Sequence, residues 1–205
     1  MLRAISNRNF LDTRFEAAAF DGPWLESFGR PSISGAWIIY GPSGSGKTTF
    51  TLMLAKYLTA YGRVAYNSLE QGNCSSLQIA WRRVDMQEAG SNIVLLDKVP
   101  YKELREYLRG RKSPKVVILD SVQYLMGFKK SDHMALKKEF PDKLFIYISH
   151  ELNNEPDGSV ARSIKFDADI KIRTAGYKAF VTSRFASKTS DFVIWEEGAK
   201  QYEMK

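Results

Sequence analysis

Nine residues constrain this chain more than any others: Gly41–Pro42–Ser43–Gly44–Ser45–Gly46–Lys47–Thr48–Thr49. The apolar run Ala36–Tyr40 precedes them, and Phe50–Tyr61, amphipathic at the helical period, follows. A strand, a glycine-rich turn and a helix in that order, with the spacing G-x-x-x-x-G-K-[ST], describe a phosphate-binding loop. The chemistry calls for these residue types. Glycine lets the backbone wrap closely, at positive φ where needed. Inward N–H groups then form an anion nest, and the helix start adds unpaired N–H groups and the positive end of its dipole. Lys47 offers a mobile point charge to the outer phosphates. Thr48 offers a hydroxyl to Mg²⁺, which prefers hard oxygen ligands. All nine residues are candidates for contact with a nucleotide. A glycine-rich turn that binds nothing is the plainer reading, and the agreement of motif and flanks speaks against it.

The rest of the chain extends this start into an α/β pattern. Residues 1–34 have weak periodicity, with turns at Asp21–Gly22–Pro23 and Gly29–Arg30–Pro31. Trp24, Leu25 and Phe28 share a helical face that covers the core, with a border to a nucleotide base as the alternative role. In Phe50–Tyr61 one apolar stripe recurs at i, i+3, i+4 and i+7, and Gly62 ends it. Val64–Ser68 reads as a strand with Glu70 just beyond its end. Leu77, Ala80, Trp81 and Val84 make a helical face that Gly90 closes. Ile93–Leu96 is a further strand, and Pro100–Gly110 a helix. Lys115–Asp120 holds four apolar residues and ends in Asp120, as a strand buried on both faces of a parallel sheet does. Ligands bind at the carboxyl ends of such strands. A carboxylate there can hold a Mg²⁺ shell opposite the loop hydroxyl, so Thr48 and Asp120 are the candidate metal ligands. Tyr124–Asp132 reads as a loop, Met134–Phe140 as a short helix, Leu144–Ser149 as a strand, and Glu151–Ser163 as a mobile loop. Ala168–Arg173, Ala179–Arg184 and Asp191–Glu196 read as an antiparallel meander, with Gly198–Lys205 finishing the last hairpin.

Composition narrows the setting. The chain has 205 residues, 44% of them hydrophobic, and a formal net charge of +7. One domain with an extension is the expectation, with a modest lean toward a polyanionic partner. A single cysteine, Cys74, excludes an internal disulfide and suits a cytoplasmic protein. No apolar run approaches the roughly 20 residues that span a bilayer, and Met1–Phe10 lacks the apolar core of a secretion signal. Lys98, Lys102, Arg105, Arg109 and Lys112 recur every three or four residues as a basic stripe. It is either a solvated face or a contact for a phosphate backbone.

Four places together resemble the RecA-like P-loop ATPases, in the branch of DnaB-type helicases and RadA/KaiC-like proteins. They are GPSGSGKTT at 41–49, YNSLEQ at 66–71, KVVILDS at 115–121, and the order from Ser149–His150 through ADIKI to Arg184. The resemblance implies a RecA-like P-loop NTPase core over 35–205. That core is a mostly parallel twisted sheet flanked by helices with a C-terminal antiparallel β extension, and residues 1–34 pack on it. It implies ATP and Mg²⁺ at the site. Lys47 would contact phosphate, Asp120 would be the Walker B carboxylate, Glu70 would activate the attacking water, and His150 would sense the γ-phosphate. Residues 124–133 and 151–163 would be the DNA-facing loops. Arg184 matches the arginine that reaches a neighbour's site in hexamers. Thr182 departs from the lysine the family often places two residues earlier, and Lys188 is a candidate substitute.

Three functions follow as expectations. The first is ATP hydrolysis coupled to DNA, single- or double-stranded, met through a basic surface. The chain would then work as a homo-oligomer or with a partner ATPase or DNA-processing protein. The second is an ATP-dependent switch or adaptor with little turnover. The third, ranked last, is a small-molecule phosphotransferase, for which Arg162 is the only arginine in a candidate lid.

Overall fold

The computed structural model describes residues 4–204. The reading of Met1–Phe10 therefore rests in part on residues 1–3, and that of Gly198–Lys205 on Lys205, which lie outside the described residues. In chain order the elements are α1 (Asn7–Leu11), α2 (Gly22–Phe28), β1 (Gly35–Gly41), α3 (Lys47–Leu58), β2 (Val64–Ser68), α4 (Ser75–Arg83) and β3 (Ile93–Asp97). There follow α5 (Tyr101–Arg109), β4 (Val116–Asp120), α6 (Lys130–Glu139), β5 (Leu144–Leu152), β6 (Glu155–Pro156), α7 (Ser159–Asp167), β7 (Ile170–Ala175), β8 (Lys178–Ser183), β9 (Phe192–Val193) and α8 (Glu196–Glu203).

The sheet runs in the order β3-β2-β4-β5-β1-β7-β8-β9. Pairing is parallel from β3 through β7, then antiparallel for β8 and β9. This is an α/β core with a C-terminal antiparallel extension. Side chains alternate across a strand, so neighbours in β1 enter different cores. Trp37 and Ile39 join Phe50, Leu54, Leu58, Tyr66 and Ile118 under α2, α3 and α4. Ala36 and Ile38 join Leu104, Val117, Leu119, Leu136, Tyr147 and Ile164 under α5, α6 and α7. Covering both faces is what permits continuous apolar strands. Phe20, Trp24 and Phe28 of the leading segment pack on the first core, whereas Ile5, Phe10, Leu11 and Phe15 are exposed.

Several segments differ from the sequence reading. Glu151–Ser163 is not a loop: β5 runs on to Leu152, turns through Asn153 and Asn154, both at positive φ, and pairs with β6 before α7 begins. Positive φ at both turn residues is the geometry of a tight hairpin. Arg162 therefore sits inside a helix, not a lid. Residues 124–132 are shortened by α6, which starts at Lys130. Gly198 opens no hairpin strand; it lies in α8, whose first turn carries Glu196 and Glu197 where the helix dipole favours anions. The helix after β2 stops at Arg83, and Asp85 adopts the left-handed conformation before a 3-10 segment over Met86–Asn92 that Gly90 interrupts. Among the described residues no helix is long and apolar enough to cross a membrane.

Candidate active site

The phosphate-binding loop leaves β1 at Gly41 and enters α3 at Lys47. Gly41 is set by close approach: a Cβ there would collide with both the side-chain and main-chain oxygens of Thr174 on β7. Thr174 is fully buried, and its Oγ1 lies 2.7 Å from Ser45 Oγ. That hydrogen bond pins the turn of the loop to the neighbouring strand. Gly46, the residue before α3, has φ of 90°, which a side chain rarely tolerates. Ser43, Gly44, Gly46, Lys47, Thr48 and Thr49 line a cleft of about 360 Å³ with Glu70, Asp120 and His150. Ser45 turns inward to Thr174, and Gly41 supplies the carbonyl that accepts from Lys47 Nζ at 3.3 Å.

The acidic side of the cleft is built from three strand ends. β5 lies between β1 and β4, and its register sets His150 opposite Gly41. Asp120 ends β4 and pairs in register with Ser68, the last residue of β2. Just beyond, the N–H groups of Leu69 and Glu70 both donate to the Asp120 carbonyl, at 2.6 and 3.0 Å. The chain thus turns so that Glu70 faces the cleft. Glu70 Oε2 lies 3.0 Å from His150 Nε2 and accepts a hydrogen bond from Ser121 Oγ at 3.0 Å. Desolvation raises the Asp120 carboxyl above its usual range, and a hydrogen bond donated by the buried Tyr66 hydroxyl opposes that shift. Desolvation and the Asp120 charge together push Tyr66 well above the ordinary phenol value. Burial lowers the Lys47 ammonium, against the opposing pull of Asp120, Glu70 and Glu151. The fold therefore sets Lys47 among three carboxylates, a field suited to ligands that bring their own phosphate and metal charges.

No protein-family model matches the sequence, and no curated protein sequence matches it. Solved structures do. Flagellar accessory protein FlaH from Methanocaldococcus jannaschii superposes with a TM-score of 0.61 at 18% identity, over 85% of this chain and 92% of that one. The ATPase domain of a DnaB-type helicase gives 0.53 at 17% identity, over 78% and 81%. The chain has the RecA-like P-loop ATPase fold. At these identities the shared property is the fold.

Within the RecA-like core, Lys47, Thr48, Glu70, Asp120 and His150 converge, and Arg184 does not. Arg184 Nη1 pairs with Asp169 Oδ1 at 2.9 Å, and its N–H donates to the Asp169 carbonyl. Asp169 N–H bonds to Ala36, so this pair sits at the opposite end of β1 from the loop. Two members of the basic stripe are also accounted for internally: Arg105 and Arg109 both bind Glu139 of α6. The stripe is thus partly an interhelix clamp and not a row of free cations. Tyr66, Thr174 and Tyr177 all shape the cleft, and none of the three stands out in the sequence. Tyr66 and Thr174 look like ordinary strand residues, and their partners lie 54 and 129 positions away. The donor set for a metal is the Thr48 hydroxyl and the Asp120 carboxylate. No cluster of three or more His, Cys, Asp or Glu among the described residues could hold a metal alone. Two hard oxygens fit a Mg²⁺ that keeps waters and arrives on phosphates.

Proposed function

We propose that the chain is a Mg²⁺-dependent ATPase that works on DNA or in a DNA-processing assembly. The observation that carries this reading is the position of Glu70. Its carboxylate faces the same cleft as Lys47 and is held in place by His150 and Ser121. A site built only to bind phosphates has no use for a carboxylate aimed at them.

The loop N–H groups and Lys47 would hold the β- and γ-phosphates. Thr48 and Asp120 would hold Mg²⁺, which when bound supplies charge neutralisation on the phosphate oxygens. Glu70 orients a water and takes its proton as the water oxygen attacks the γ-phosphorus in line. The bond from that phosphorus to the β-phosphate oxygen breaks, and ADP leaves with the bridging electron pair. The proton on Glu70 returns to solvent or to the released phosphate. Release of the terminal phosphate changes what Glu70 and His150 face.

Two substitutions test this. Lys47→Ala removes nucleotide binding or turnover. Glu70→Gln keeps binding and lowers turnover by about 10²- to 10⁴-fold, the usual worth of a positioned base. Unchanged hydrolysis in either variant refutes the reading.

A second reading, an ATP-dependent switch with little turnover of its own, is favoured by Arg184. Among the described residues no arginine lines the cleft, and Arg184 is spent on Asp169 at the far end of the sheet. Such a protein binds ATP tightly and hydrolyses it only when a neighbour or partner supplies a cation. Turnover that rises with protein concentration, or with added single-stranded DNA, separates the two readings.

A further inference from the structure

A second cavity, of about 520 Å³, runs along the outer face of α3 and shares Thr49 with the phosphate cleft. Its size is that of an ordinary small-ligand pocket. Met53, Trp24, Ile194 and Trp195 give it an apolar lining, and Val84 closes the far side. Trp195 is 47% exposed, a large aromatic surface left open beside a phosphate site. The orientation of that ring is set in advance. Tyr177, which also lines the phosphate cleft, meets it edge-on with centroids 5.1 Å apart at 84°. Gly198, in the first turn of α8, lies so close under the indole that a Cβ would collide with it.

The polar groups around this cavity are largely committed elsewhere. Tyr57 hydroxyl donates to Asp21 at 2.8 Å and accepts from the Asp21 N–H at 3.0 Å. Lys56 Nζ donates to the Val84 carbonyl and pairs with Glu88. Asp85 Oδ1 accepts from Gln87. Arg83 remains at the rim, and a guanidinium can donate to the N7 that adenine and guanine share.

We propose that this trough holds the base of the bound nucleotide against Trp195 and reads its face, not its edge. The protein then accepts adenine and guanine nucleoside triphosphates alike. Strong discrimination needs a site that hydrogen-bonds the distinguishing group of the ligand, and here the donors and acceptors are already paired. The inference rests on the phosphate-loop reading, since only a triphosphate anchored at Lys47 brings its base past Thr49.

The test is calorimetric binding of MgATP, MgGTP and inorganic Mg-tripolyphosphate to the full chain. ATP and GTP should bind within about threefold of each other, since no edge contact separates them. Trp195→Ala should weaken both nucleotides by about tenfold or more, the scale of one lost stacking contact, and leave tripolyphosphate unchanged. Trp195→Leu, which keeps apolar bulk over Gly198, should weaken them likewise, and Trp195→Phe should restore them. A preference for ATP over GTP beyond about tenfold overturns the inference. So does a Trp195 variant that leaves nucleotide affinity intact, or one that weakens tripolyphosphate as much as ATP. Lys47→Ala separates the two levels. If it leaves tripolyphosphate binding untouched, the phosphate-loop reading itself fails and the base subsite loses its anchor.

Discussion

Tyr66→Phe removes a single oxygen from the centre of the site, and its consequence can be worked through. The Tyr66 hydroxyl donates to the Asp120 carboxylate, and both groups are withdrawn from water. A hydrogen bond to a charged group is worth about 1.5–3 kcal/mol net. Losing it raises the Asp120 carboxyl by about 1–2 further pKa units, at 1.36 kcal/mol per unit. That carboxyl is already raised by desolvation, so the acidic limb of the pH–rate profile moves toward neutrality. Ample alkali restores the carboxylate and most of the turnover. Stability follows the same sign. A group with a raised folded-state pKa stabilises the fold while protonated and loses that contribution as pH rises through the folded value. The substitution therefore costs least in acid, where Asp120 carries its proton, and most above the shifted pKa, where the carboxylate stands without its donor. The assays are kcat/KM for ATP across pH at saturating Mg²⁺, and urea unfolding in acid and in mild alkali. An acidic limb that does not move, or a stability loss equal at both pH values, refutes the coupling of Tyr66 to Asp120.

Other perturbations have equally definite outcomes. Gly41→Ala forces a Cβ into Thr174, where backbone blocks any adjustment, and should cost about 1–3 kcal/mol by overpacking, read from the denaturant midpoint. Replacing Arg105 and Arg109 by Ala should lower the melting temperature by freeing Glu139, while the salt dependence of any DNA binding keeps its slope; a flattened slope would restore the stripe as a phosphate contact. His133 is buried between Tyr147 and Asp167, with Lys137 on the same carboxylate, and desolvation holds its imidazole below the ordinary value of 6.5. A depressed folded pKa means that the unfolded chain takes the proton first, so stability holds above about 6.5 and falls as pH drops below it. His133→Gln should flatten that fall in denaturant melts, leaving the loss that Asp167 contributes at lower pH.

The parts of the fold written in short stretches were legible. Val64–Ser68 and Lys115–Asp120 announce themselves because a strand buried on both faces must be apolar without interruption. The loop at 41–49 is legible because close backbone approach, positive φ and phosphate charge each demand a residue type. The parts set by long-range partners were not. Asn153–Asn154, Pro156 and Gly158 look like a mobile segment, yet Arg173 grips Glu151 through two hydrogen bonds and Asn154 through a third. Ala161 and Ile164 then anchor α7 on the second core. The basic residues of α5 carried no sign that Glu139, about 30 positions on, would take two of them. Trp195 read as a strand residue because α8, which supports it, was read as the end of a hairpin.

The placement of β5 ties these observations to mechanism. A strand inserted between the loop strand and the Asp120 strand must end inside the cleft, and it ends there with His150 against Glu70. The preceding residue, Ser149, accepts from Gln123 Nε2 at 2.7 Å, and the same amide donates to the Asp157 carbonyl at 2.8 Å. The Asp157 N–H returns to the His150 carbonyl at 2.9 Å. Glu70, His150, Gln123 and Asp157 thus form one connected set of hydrogen bonds from the cleft to the start of α7. A chain of this kind transmits a displacement only if its members have a second arrangement. The terminal phosphate offers one, because His150 cannot hold Glu70 as it does here and also donate through the same nitrogen to a phosphate oxygen. The competition is local to one imidazole nitrogen, and its outcome moves the segment that leads from Glu151 into α7. Hydrolysis and switching are then two uses of one contact: the first asks how fast Glu70 is freed, the second what moves when it is.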